Sequence, residues 1–163
     1  MNLEIFKPKF FLKEHYGASW CSNLKGQIND NIPVEIAQGT PRLKFIQDKS
    51  SEDEDWCAAA IPLNPAWATV DISDFKFINF DFYCDSPPYC KIGLISDEEN
   101  HSPEYDLNSK SRIETEELTS ISIPLSFFKG HFDLKTSRLL KIVGYANCAF
   151  YISDIVLTNE VDP

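Results

Sequence analysis

Apolar side chains recur at every second position along several segments of this sequence. The clearest segment places Ile78, Phe80 and Phe82 on one side and Asn79 and Asp81 on the other. Because successive side chains of a β-strand point to opposite faces of its sheet, this period indicates a strand with one face on a core. Ten prolines are spread through the chain and interrupt most candidate helices. The pattern therefore predicts an all-β fold.

The other alternating segments are short and lie between stretches rich in Pro, Asn, Asp and Ser, as strands do. They centre on residues 43–45, 92–94, 121–125 and 140–142. Counting such segments predicts roughly eight to ten strands, which suits a β-sandwich or jelly roll with short helical turns only. No internal repeat or linker divides the chain. Residues 1–163 are thus predicted to form a single β-sandwich domain, either alone or as a module of a larger protein.

The charge of the chain excludes some classes of partner. It has 15 Lys and Arg against 25 Asp and Glu, a formal net charge of −10. Binding to nucleic acid or to anionic membranes depends on clustered Lys and Arg, so neither partner is expected, whereas a neutral sugar is compatible with this charge. Residues 1–9 lack the uninterrupted apolar core of a signal peptide. We expect a cytoplasmic protein if the chain is complete, and an extracellular one if it is a module of an exported enzyme.

The cysteines leave two interpretations open. There are five, an odd number, so they cannot all pair within one chain. Cys84 and Cys90 flank a Pro-rich segment typical of a hairpin turn, across which they could form a disulfide. The alternative is a set of small buried thiols in a reducing compartment. None of the spacings is typical of a zinc site.

Known catalytic motifs are missing from the sequence. The three histidines, His15, His101 and His131, are isolated, and the glycines lie too far apart for a phosphate-binding loop. There is no nucleophile elbow. Most carboxylates cluster in polar loops, where solvated runs of charge are typical. The sequence therefore predicts a protein that is not an enzyme.

Three segments resemble parts of a known family and appear in the expected order. Residues 70–83 pass from an Asp-apolar-Ser turn into a strand of large alternating apolar residues. Residues 120–128 contain Ile-Pro-Leu-Ser-Phe-Phe at a strand end, and residues 150–157 form a closing strand that contains Tyr, Ile and Asp. Residues 40–158 thus resemble a carbohydrate-binding module of the galactose-binding-like β-sandwich type. The resemblance implies non-catalytic binding of a polysaccharide or oligosaccharide, which targets an attached or partner glycan-active enzyme to its glycan.

Sugar recognition of this kind uses flat aromatic rings against the apolar side of a pyranose, with polar groups on the hydroxyls. The candidates are aromatic side chains that lie in polar loops or at strand positions predicted to face away from the core. Neighbouring amide, carboxylate and guanidinium groups are candidates too. We expect two or three of the aromatic residues to line one concave face or loop edge. The predicted ligand-binding residues are Trp56, Trp67, Tyr83, Asn79, Asp81, Tyr89, Tyr105, Arg112, Arg42 and Tyr145.

The resemblance also implies a structural calcium ion near the first and last strands. Calcium prefers carboxylate and carbonyl oxygens. Asp154 matches a position where the family often has a ligand, and Glu4 or Asp30 could supply another. Ser153 stands where the family often has an aspartate. The alternative is that Asp154 caps or hydrogen-bonds a bulged strand.

Two other functions remain open. The second is a protein-interaction or assembly domain on the same jelly-roll scaffold, as in respiratory-complex assembly factors, which the Met1 start and the odd cysteine count favour. The third is a small β-sandwich glycan hydrolase or lyase. A surface aromatic cluster would favour sugar binding, and a broad apolar patch would favour a protein partner. Two carboxylates that face each other across a deep pocket would favour an enzyme.

Overall fold

The predicted all-β sandwich is confirmed. A computed structural model describes residues 2–7, 13–48 and 55–160, which form two antiparallel sheets packed face to face. The seven-stranded sheet contains β1 (Leu3–Phe6), β2 (His15–Gly17), β4 (Asn31–Ala37), β5 (Thr40–Ile46), β7 (Phe77–Cys84), β10 (Thr119–Pro124) and β12 (Ala149–Thr158). The five-stranded sheet contains β3 (Trp20–Ser22), β6 (Trp56–Pro62), β8 (Cys90–Ser96), β9 (Tyr105–Asp106) and β11 (Ser137–Tyr145).

The helical segments are short, as expected. They are α1 (Leu107–Lys110), α2 (Ser126–Lys129) and a 3₁₀ turn at Leu134–Thr136. The Asp106 side chain accepts a hydrogen bond from the backbone N–H of Asn108 and so caps the start of α1. No helix in the described part of the chain has the length and apolar character needed to cross a membrane.

The alternating apolar residues form the core between the sheets. Ile78, Phe80 and Phe82 of β7 are at most 2% exposed. The Phe82 ring stacks on Phe150 of β12 at a centroid distance of 5.2 Å, and Phe150 stacks on Phe45 of β5 at 5.1 Å. Burying each such side chain contributes about 1.5–3 kcal/mol to folding. The ring stack therefore holds together the three central strands of the seven-stranded sheet.

Strand β12 has neighbours on both sides. It pairs with β7 along one edge, and with β5 and then β1 along the other. The register with β7 shifts between Ser153 and Val156, and Asp154 within the shift has a φ of 54°. Asp154 therefore lies in a β-bulge. This agrees with the alternative prediction, in which Asp154 belongs to a bulged strand instead of binding calcium.

The strand count was predicted too low, because the described residues contain twelve strands. The extra strands include β2 and β3, with three residues each, and β9, with two. Such short segments contain too few residues to show an alternating pattern. The segment 96–110, which the sequence presents as one long polar loop, also contains β9 and α1.

The hairpin prediction for Cys84 and Cys90 was wrong. Cys84 ends β7 in one sheet and Cys90 begins β8 in the other, so residues 85–89 cross between the sheets. All five cysteines are free and buried in the structure.

Candidate ligand-binding face

The side chains of β7 that do not enter the core form the centre of an outward polar and aromatic surface. Asp81 and Tyr83 lie there, because Phe80 and Phe82 point inward. On β12, Tyr151 is opposite Tyr83, and Ser153 is opposite Asp81. The two tyrosine rings lie 6.1 Å apart at an interplanar angle of 46°. We call the surface formed by Arg42, Lys44, Asn79, Asp81, Tyr83, Tyr151 and Ser153 the tyrosine face.

Arg42 of β5 belongs to the buried base of this face and is only 2% exposed. Its Nη1 donates a hydrogen bond to Oγ of Ser153, and its Nε donates to the carbonyl oxygen of Ala37 at 2.8 Å. Burial lowers the pKa of Arg42, whereas the nearby negative charges of Asp81 and Asp154 raise it. Because arginine is not deprotonated in proteins, the guanidinium is charged and compensates the nearby carboxylates of Asp81 and Asp154.

Charged and hydroxyl groups surround the tyrosine rings. Lys44, opposite Tyr151, donates to Oε2 of Glu35 at 2.6 Å. The Tyr83 hydroxyl donates to Oδ1 of Asp85 at 2.8 Å, and this hydrogen bond is the main cause of the raised pKa of Tyr83. Burial raises the pKa of Tyr151, with a further contribution from the charge of Glu35. Both phenols therefore remain protonated near neutral pH, and the O–H of Tyr83 is already engaged with Asp85.

Asn79 has an unused hydrogen-bonding atom. The residue is 5% exposed, and its Nδ2 donates to the carbonyl oxygen of Glu160 at 2.9 Å. Its Oδ1 is buried and has no partner among the described residues. Such a buried oxygen without a partner is rare in folded proteins.

Trp67 lines a separate cleft of about 220 Å³ with Glu4, Tyr16 and Asn64. Trp67 is 43% exposed and has a φ of 62°, which is unusual for a bulky residue. Its backbone N–H donates to the Asn64 carbonyl oxygen at 2.8 Å and so closes the turn. Glu4 of β1 is opposite Val156 of β12, which puts the cleft beside the seven-stranded sheet.

Three of the predicted aromatic contacts lie on or beside the five-stranded sheet instead: Trp56 of β6, Tyr145 of β11, and Tyr89, which directly precedes β8. Trp56 is opposite Tyr145, and the Tyr145 ring lies 5.3 Å from that of Tyr89. The Tyr145 hydroxyl donates to the carboxylate of Asp106 at 3.1 Å. Burial, followed by this hydrogen bond, raises the pKa of Tyr145 to about 12. These residues form a cluster separate from the tyrosine face.

The last two predicted contacts also lie away from the tyrosine face. Tyr105 packs edge-on against Phe127 at a centroid distance of 5.1 Å. The Arg112 side chain is 94% exposed, with its Nε 3.7 Å from Oε1 of Glu114. Of the predicted aromatic residues, Tyr83 alone is therefore placed on the tyrosine face.

The sequence prediction missed Tyr151, Lys44 and Glu35. A signal for Tyr151 was present, because it alternates with the core residues Phe150 and Ile152 of the closing strand. Lys44 alternates in the same way with the buried residues of β5.

The predicted calcium ligands do not gather at one place. Within residues 2–7, 13–48 and 55–160, no three His, Cys, Asp or Glu side chains are arranged to hold a metal ion. Glu4 lines the Trp67 cleft, Asp154 lies near Arg42, and Asp30 accepts a hydrogen bond from the Cys21 N–H. The three carboxylates thus do not fit a common calcium site, and calcium stays a prediction of the resemblance.

Comparisons with known proteins give matches among solved structures. No family model and no curated protein matches the sequence. A crystal structure of a family 30 carbohydrate-binding module has a TM-score of 0.76 at 20% identity, covering 100% of this chain and 90% of that one. The family 30 module of a cellulosomal cellulase of Clostridium thermocellum has a TM-score of 0.74 at 21% identity, covering 99% of both chains.

A third match was solved with a sugar. The family 11 module from Clostridium thermocellum in complex with a β-1,3-1,4-mixed-linked tetrasaccharide has a TM-score of 0.60 at 14% identity. It covers 99% of this chain and 98% of that one. The chain therefore has the β-sandwich fold of these carbohydrate-binding modules.

Proposed function

We propose that this protein is a non-catalytic carbohydrate-binding module and that it binds a polysaccharide or oligosaccharide on the tyrosine face. The observation that carries the proposal is the pair of neighbouring rings, Tyr83 and Tyr151, on the outward side of the seven-stranded sheet. The fold shared with solved carbohydrate-binding modules supports it. We further propose that binding targets an attached or partner glycan-active enzyme to its glycan.

The chemistry of the face suits a neutral, hydroxyl-rich ligand. The tyrosine rings offer apolar surfaces for the C–H side of pyranose rings. Lys44 and the carboxylate of Asp81 offer a donor and an acceptor for hydroxyl groups, and both are tied to neighbours: Lys44 to Glu35, and Asp81 to the Ser120 hydroxyl at 3.2 Å. Such anchored groups lose little conformational freedom when a ligand binds.

Trp67 extends the proposed site. Its exposed indole and the Glu4 carboxylate line one cleft, and Glu4 neighbours Val156 on the sheet that carries the tyrosine face. Val156 and Tyr151 lie on the same strand, β12, so a glycan chain that follows this strand from the tyrosines runs toward the cleft. We therefore propose Trp67 as a further sugar contact.

Removing both tyrosine rings is expected to abolish binding. Stacking on one ring is worth about 0.5–1.5 kcal/mol beyond the area buried, so each of Tyr83→Ala and Tyr151→Ala should weaken binding roughly tenfold. The double variant should show no retardation in affinity electrophoresis through soluble polysaccharides that retard the wild type. The panel should include a mixed-linked β-glucan. A parallel gel that contains a chelator tests the calcium prediction.

Matched controls separate loss of binding from loss of fold. Trp56→Ala and Tyr89→Ala remove aromatic side chains on and beside the five-stranded sheet and should leave retardation unchanged. Thermal unfolding should show that the Tyr83 and Tyr151 variants are folded. If the folded double variant is still retarded, the tyrosine face is not the site. If no glycan retards the folded wild type, a protein-interaction domain becomes the better interpretation.

A further inference from the structure

Two buried cysteines from different sheets lie in contact in the core. Cys57 of β6 and Cys148, which precedes β12, are 0% and 2% exposed. Their Sγ atoms are 3.4 Å apart. Cys57 belongs to the five-stranded sheet, whereas Cys148 leads directly into the central strand of the seven-stranded sheet.

Gly144 of β11 provides the space for this pair. It is opposite Cys57 on β6 and opposite Cys90 on β8. A Cβ atom at position 144 would overlap the sulfur of Cys148 and would lie 3.0 Å from that of Cys57. The two thiols therefore occupy the volume that a side chain at position 144 would need.

We propose that Cys57 and Cys148 form a disulfide that joins the two sheets when the protein folds in the presence of a small-molecule disulfide. In the first step the thiolate of one of the two cysteines attacks the small disulfide and releases one equivalent of its thiol. In the second step the sulfur of the other cysteine loses its proton, attacks the protein sulfur of the mixed disulfide and releases the second equivalent. Two protein thiols are oxidised to one disulfide, and the small disulfide is reduced to two thiols.

The folded core holds the two thiols in unequal environments. The hydrogen bond between them lowers the pKa of Cys148, whereas the same bond and burial raise the pKa of Cys57. Because both sulfurs are buried, a small disulfide reaches them in the unfolded or opened chain rather than in the closed core.

The thiol of Cys21 has a different partner in the folded protein. It donates to the Asn29 carbonyl oxygen at 3.5 Å, and burial with the charge of Asp30 raises its pKa to about 11. Cys84 and Cys90 also have raised pKa values, for which burial is the main cause.

The test is refolding of the reduced, denatured protein in buffers that contain reduced and oxidised glutathione. We expect one intramolecular disulfide, three alkylatable thiols, and a non-reduced peptide map that joins Cys57 to Cys148. The link closes a loop of about 90 residues, so the oxidised form should melt roughly 10 °C above the reduced form. Dithiothreitol should remove the difference.

Two variants keep this test decisive. Cys148→Ser should retain four alkylatable thiols after oxidative refolding, whereas Cys84→Ser should still acquire the disulfide. Five alkylatable thiols in refolded wild type would overturn the proposal, as would a disulfide mapped to another pair. This inference does not depend on glycan binding, because every readout is a mass, a thiol count or a melting temperature.

Discussion

Replacing Arg42 with methionine is expected to lower the free energy of unfolding by about 3 kcal/mol. Methionine preserves most of the side-chain volume, so little packing is lost. The Ser153 hydroxyl and the Ala37 carbonyl would each lose a charged hydrogen-bond donor. The charges of Asp81 and Asp154, which Arg42 now compensates, would be left without their cation.

Urea unfolding followed by tryptophan fluorescence would measure this loss. Arg112→Met is the matched control, because that side chain is 94% exposed and meets Glu114 only at 3.7 Å. Exposed pairs of this kind are worth about 0–1 kcal/mol, so the control should remain close to wild type. Equal stabilities of the Arg42 and Arg112 variants would show that the buried guanidinium is not needed for folding.

Gly144→Ala is expected to destabilise the sandwich by about 3 kcal/mol, at the upper end of the usual cost of overpacking. The added methyl would overlap Cys148 Sγ and would lie 3.0 Å from both Cys57 Sγ and Phe150 Cε1. These neighbours are fixed in the core, and Phe150 also belongs to the ring stack. Thermal unfolding should show the loss as a fall in Tm of roughly 8 °C or more.

Two further variants isolate the cause. Gly130→Ala adds the same methyl where no atom lies within 4 Å, and should be neutral or slightly stabilising. Adding Cys148→Ala to Gly144→Ala removes the overlapping sulfur, so the double variant should be more stable than the sum of the single effects predicts. Additive losses would mean that the overlap with Cys148 does not cause the destabilisation.

The periodic strands could be predicted from sequence because burial leaves a direct pattern. The alternation in β7 and β12 reports which side chains face the core, and the structure confirms it for Phe80, Phe82 and Phe150. The crossing at residues 85–89 could not be predicted, since a Pro-rich stretch suits a hairpin and a passage between sheets equally well. Only the partners of β7 and β8, which are distant in sequence, distinguish the two.

The candidate site was harder to predict than the fold. The two-residue alternation along β7 predicts that Asn79, Asp81 and Tyr83 lie on the same face, and the structure agrees. The alternation within one strand does not report which strands share a sheet. Tyr89 and Tyr145 were therefore grouped with Tyr83, although Tyr145 lies on the five-stranded sheet and Tyr89 directly precedes its strand β8. The burial of Arg42 also depends on contacts across strands, which a local pattern does not contain.

The position of β12 has a consequence for the order of folding. This strand is flanked by β7, β5 and β1, so Leu3 must find Leu157 from almost the opposite end of the chain. Pairings so distant in sequence slow folding. Until Ala149–Thr158 is available, the facing edges of β5 and β7 lack their central partner and can pair with other chains. We therefore expect a chain that ends before Ala149 to aggregate instead of forming a smaller sandwich.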